Sequence, residues 1–102
     1  MSIKAEIDIE FKRAMEQADE LEELSGLLCD IGSTGMDETL SLLSHSWKGP
    51  NADDYLQKTV RLKDRVYSSA QILKDTALLI RGTAQRIYMA EMAAISICET
   101  RW

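Results

Sequence analysis

The sequence has 102 residues, room for one domain, and its 45% hydrophobic and 28% charged content is that of a folded chain rather than a disordered one. One Pro, five Gly and 6% aromatic content argue against a turn-rich β-sandwich or barrel, and helix formers dominate instead. A net charge of −5 argues against general nucleic-acid binding, which needs a basic face to displace counterions.

The N-terminus, Met1 to Asp8, has no basic segment followed by an apolar core, and no stretch reaches the apolar length of a membrane span. The chain is therefore expected to be made in the cytosol; if it is secreted, it leaves without a cleaved signal peptide. Cys29 and Cys98 fit a reducing compartment as small core hydrophobes.

Residues 3 to 46 read as a first helix. Ile7, Phe11, Ala14, Ala18, Leu21, Ser25 and Leu28 recur at steps of four and three, the spacing of helices packed side by side. Ile3, Met15, Leu24, Leu27 and Ile31 widen the stripe. Two Gly within Gly32-Ser33-Thr34-Gly35 predict a kink or break there, after which Met36, Leu40, Leu43 and Trp47 resume the pattern. Trp47-Lys48-Gly49-Pro50 is the predicted turn, with Gly49 free to take backbone angles closed to other residues and Pro50 suited to open a helix. A second helix over about 51–99 follows. Val66, Ala70, Leu73, Ala77, Ile80, Ala84, Ile87, Glu91, Ala94 and Cys98 keep the same rhythm.

The expected fold is all-α: a single domain over 1–102 formed by an antiparallel helical hairpin with a Trp-x-Gly turn. A turn near residue 48 sets Cys29 opposite the region of Tyr67, the acidic run Glu16 to Glu23 opposite Lys74 and Arg81, and Glu10 near Arg86. Cys98 then lies tens of ångströms from Cys29, too far for a disulfide. Residues 1–50 carry 4 basic and 11 acidic side chains, a net −7, and residues 51–102 carry 8 basic and 6 acidic, a net +2. This split suits either a solvated face of weak pairs or a charge pattern that selects a partner.

A two-helix hairpin has little interior, and both stripes are wide, so the chain is expected to pair into a four-helix bundle. Phe11, Leu21, Leu28, Val66, Leu73, Ile80 and Ile87 are the candidate partner-interface residues. The segment from Ile87 to Cys98 is apolar nearly all round, as for packing in a larger assembly or a Met-rich docking surface. It lacks the Lys/Arg face of a membrane-surface helix.

Enzyme chemistry is not expected. There is no Gly-rich phosphate loop, and His45 has no Asp or Glu three or four residues away to make a metal-binding pair. Ser44-His45-Ser46 has no adjacent orienting acid. No catalytic residue, cofactor or metal is expected.

A leaderless acidic chain of about one hundred residues, with Trp47-Lys48-Gly49 between two long amphipathic helices and Ala52 and Tyr55 following, resembles the WXG family of type VII secretion. The resemblance spans nearly the whole chain. It implies a hairpin that forms a homo- or heterodimeric four-helix bundle, acting as a secreted substrate or as an escort to the secretion ATPase. Some small helical proteins that resemble this family bind the helical N-terminal region of LXG-type toxins and are needed for their export. The family's C-terminal export signal is Tyr, three intervening residues, then Asp or Glu. Here Tyr88 is followed at that spacing by Met92, with Glu91 one residue early, which turns the carboxylate by about 100° on a helix.

The resulting expectation is a non-enzymatic adaptor that binds an effector's helical region or a sister WXG-like chain and promotes its export. Trp47 and Gly49 form its turn motif, and Tyr88, Glu91 and Met92 are its candidate export or docking residues. Trp47 can equally serve to anchor the turn against the helix ends. The alternatives are a homodimeric secreted member of the family, a structural or regulatory bundle with no export role, and a membrane-active helix.

Overall fold

The computed structural model describes residues 2–101. The chain is all-helical, with no strand among the described residues. α1 spans Ile3–Asp30, α2 spans Met36–Ser46 and α3 spans Pro50–Arg101, and a π-helical turn over Ile31–Gly35 joins α1 to α2.

Ser2 starts α1: its hydroxyl accepts the Ala5 N–H at 3.1 Å and its carbonyl accepts the Glu6 N–H. One of the donors that every helix start leaves open is thereby satisfied. α2 ends when Trp47 turns extended, at φ −126° and ψ 123°, while its N–H still bonds the Leu43 carbonyl at 2.9 Å. Gly49 then takes φ +114°, a conformation that side chains oppose. Its carbonyl accepts the Asp53 N–H at 3.0 Å, the first long bond of α3, whose opening residue is Pro50.

At the two glycines expected to kink or break the helix, α-helical geometry gives way to the π-helical turn while the backbone stays helical. Asp30, Gly35 and Met36 all keep right-handed helical angles, and the Met36 N–H reaches back five residues to the Ile31 carbonyl. The inward residues explain why. Leu28, Gly32, Met36 and Leu40 are half-buried or buried at successive steps of four. An α-helix of 3.6 residues per turn drifts off its face over three such steps, and one wider turn absorbs the surplus.

The chain packs as two compact units. One joins the chain up to Glu22 with the chain from Asp75 onward, and the other is Glu23–Lys74. In the first, the Phe11 and Tyr88 rings lie 4.6 Å apart, and Arg81 pairs with Asp19 at 2.7 Å and Glu22 at 2.5 Å. Rising numbers on α1 thus meet falling numbers on α3, so the helices run antiparallel there. In the second unit, the Ser25 hydroxyl donates to the Ala70 carbonyl at 2.6 Å, and Lys63 of α3 pairs with Asp37 of α2.

Small residues take the deepest positions. Ala18 and Ala77 are 0% exposed in the first unit, alongside buried Ile7. Ser25, Gly32, Ala52 and Ala70 are buried in the second. A Cβ on Gly32 would sit 3.2 Å from the Tyr67 ring, so the absence of a side chain is what lets that ring lie over the π-helical turn. Short side chains bring the backbones close, which in turn lifts neighbouring large side chains toward solvent.

Candidate protein-interaction surface

The seven residues expected to meet a partner divide accordingly. Phe11, Leu21, Leu28, Val66, Leu73 and Ile80 are half-buried, whereas Ile87 is exposed. The six belong to the stripes that also carry buried Ala18, Ser25, Ala70 and Ala77, so much of their surface is already covered within the chain. Other large apolar side chains stand exposed outside these seven. In the second unit, Leu24, Leu27 and Ile31 are 49%, 53% and 54% exposed at steps of three and four along one side of the helix. In the first unit, Leu78, Leu79, Met89 and Ile97 are also exposed. The periodicity places Leu24, Leu27 and Ile31 only as a widening of the buried stripe. Their offset of one residue before each inward position is the signal that sets them outside.

At the α2–α3 connection, Trp47 packs its ring 5.6 Å from that of Tyr55, tilted by 50°, and both rings remain partly exposed. The two aromatics and Gly49 therefore fix one local structure at the second unit's connecting segment, and a face of each ring is left over.

Tyr88 and Glu91 lie together in the first unit, lining one groove with Phe11 and Ile87. Met92 is half-buried and is not among the residues lining it. Hydrogen bonding to the Asp8 carboxylate, with that carboxylate's charge and some burial, raises the Tyr88 phenol's pKa above its ordinary value. The folded state favours the protonated phenol. The stabilisation is therefore complete below the ordinary tyrosine value near pH 10 and disappears as pH rises through the higher folded value. In Asp8→Asn the Tyr88 phenolate is expected to form at lower pH than in the parent chain, read from the ultraviolet absorbance of tyrosinate; an unchanged titration would remove Asp8 as the cause.

Several other polar groups have local partners. Asp19 and then Glu22 raise the Arg81 pKa by hydrogen bonding, and Asp37 does the same for Lys63, whose ammonium also lies 5.7 Å from the Tyr67 ring centre. Arg86 donates to the Thr83 hydroxyl at 3.3 Å. His45 Nδ1 donates to the Ser41 carbonyl at 2.7 Å, and the Ser44 and Ser46 hydroxyls donate to the Ser41 and Leu42 carbonyls. This Ser-His-Ser run is bonded to its own helix. Cys29 and Cys98 are free thiols. Among the described residues there is no cluster of His, Cys, Asp and Glu able to hold a metal ion, and no helix long and apolar enough to cross a membrane.

Comparison with family models, curated proteins and solved structures finds no match to this chain.

Proposed function

We propose that the chain is a non-enzymatic adaptor of type VII secretion. It forms a helical hairpin about the Trp47–Gly49 turn and completes a four-helix bundle with the helical N-terminal region of an LXG-type effector or a sister WXG-like chain, which it escorts to the secretion ATPase. One observation carries the reading: the deepest positions of both units hold small residues, while large apolar side chains such as Leu24, Leu27 and Ile31 stand exposed in rows. A chain that spends its small residues inside and keeps leucines outside has arranged its apolar surface for another helix. The resemblance of Trp47-Lys48-Gly49, placed between two amphipathic segments, supplies the secretion context.

The test is genetic and direct. Deleting the chain from its host is expected to abolish export of the LXG-type toxin it serves while leaving toxin synthesis intact, and re-expression is expected to restore export. Normal toxin export in the deletion strain would sink the reading. A purified chain that forms a dimer resistant to dilution, together with normal export, would favour the self-associating bundle instead.

A further inference from the structure

We propose that one face of the second unit, built from a row on α1 and a row on α3, receives a single amphipathic helix of the partner whose acidic edge lies over Arg61 and Arg65. The inference deepens the adaptor reading and rests on it for the partner's existence, but the chemistry of the face stands on its own residues.

Within this unit Ser25 meets Ala70, Gly32 lies under Tyr67 and Asp37 pairs with Lys63, so the paired helices run antiparallel. Leu24, Leu27 and Ile31 each come one residue before an inward position, Ser25, Leu28 or Gly32. Leu62, Arg65, Ser69 and Ile72 stand in the same relation to Lys63, Val66, Ala70 and Leu73. In right-handed helices that run antiparallel, the residue before an inward one turns about 100° to the same side on both. The two rows therefore form one face, on which Leu62 and Ile72 are 53% and 64% exposed beside the α1 trio. The residues that follow the inward positions make the opposite side. Apart from half-buried Cys29 and Tyr67, these are Gly26, Ser33, Asp64, Gln71 and Lys74, so the apolar surface of this stretch is gathered on one side only.

A helix suits this face better than an extended segment. The backbone groups of both rows are bonded within their own helices, so an incoming strand finds no edge to pair with. A helix satisfies its own backbone and can lay an apolar stripe between the rows. Charge then selects among helices. Of the basic residues that α3 brings to this unit, Lys58 pairs with Asp54, Lys63 pairs with Asp37, and Lys74 is on the opposite side. Arg65, in the row, and Arg61, one turn earlier at its outer edge, are exposed and have no ion pair among the described residues. A basic edge laid here would be repelled, and an acidic edge finds two cations in a chain that is otherwise acidic, which fixes where such a helix sits.

The full chain, isotope-labelled at its methyl groups, is titrated with a synthetic amphipathic helix of about three heptads, with leucine at a and d and glutamate at e, and followed by NMR. Matched peptides with glutamine or lysine at e are the controls. Saturable shifts are expected at the Leu24, Leu27, Ile31, Leu62 and Ile72 methyls. The glutamate peptide is expected to bind about fivefold or more tighter than the glutamine one, as for two exposed ion pairs, with the lysine peptide weakest. In R61Q/R65Q the glutamate and glutamine peptides are expected to bind alike. Circular dichroism checks that this variant stays helical, and the three peptides decide the question in the parent chain if it does not.

Equal binding of the three peptides, no saturation, or shifts centred on Leu78, Leu79 and Met89 would each overturn the proposal. So would shifts of the face methyls with protein concentration alone, because a second copy would then cover the face. Arginine-dependent binding to phosphatidylglycerol vesicles without peptide selectivity would assign the face to a membrane surface and overturn it too. If the peptides fail while export still depends on the chain, the adaptor reading stands without this face. If the glutamate peptide binds selectively and export is independent of the chain, the adaptor reading falls and the face remains.

Discussion

Replacing Ala77 by Leu is expected to destabilise the first unit by about 1–3 kcal/mol, the cost of forcing extra methylenes into a close-packed interior. For a chain of this size each kcal/mol lowers the melting midpoint by about 4–8 °C, well within reach of far-ultraviolet circular dichroism. The argument rests on position. Ala77 is 0% exposed, so the new side chain has no solvent-facing rotamer and must push α1 and α3 apart. Two residues on, Leu79 is 66% exposed, and Leu79→Ala is expected to stay within about 0.5 kcal/mol of the parent. The pair of variants inverts the ordinary expectation that an alanine is dispensable and a leucine is core. Equal melting shifts, or a larger shift for Leu79→Ala, would show that the close approach at Ala77 is not what holds the unit together.

How far the sequence foretold this can be followed residue by residue. The four-three stripe contains every one of Ala18, Ser25, Ala70 and Ala77, and antiparallel pairing puts Arg81 beside the acidic run, where it binds Asp19 and Glu22. Periodicity identifies a face, but it does not rank the members of that face by depth. Hydrophobic size would place Leu21, Leu28, Leu73 and Ile80 deepest. Instead the small residues set the helix separation, and the leucines are left half-covered beside them. The π-helical turn was hidden for a different reason. Glycine content signals a weak point in a helix, whereas the run of three four-residue steps from Leu28 to Leu40 signals surplus chain, and only the second predicts a wider turn. The groove between Phe11 and Tyr88 could not be read at all, since it depends on which residues of α1 and α3 stand level, a matter of one or two residues in register.

The outward row on the second unit yields the other large effect. Changing Leu24, Leu27 and Ile31 together to Gln is expected to weaken association with the helical partner proposed above by about a hundredfold while leaving the chain helical. Burying a whole leucine or isoleucine side chain contributes about 1.5–3 kcal/mol, and roughly half of each is still uncovered, so three such residues together supply about 3 kcal/mol. Glutamine is nearly as good a helix former as leucine and carries no charge, which separates loss of apolar contact from repulsion by this acidic chain. Leu42 of α2, 72% exposed and outside the row, serves as the control, and Leu42→Gln is expected to leave binding unchanged. Sedimentation of the purified chain with the helical region of the proposed effector reads both variants. Undiminished binding by the triple variant would mean that the row is ordinary exposed surface, and that the partner covers the first unit, where Leu78, Leu79 and Met89 stand exposed instead.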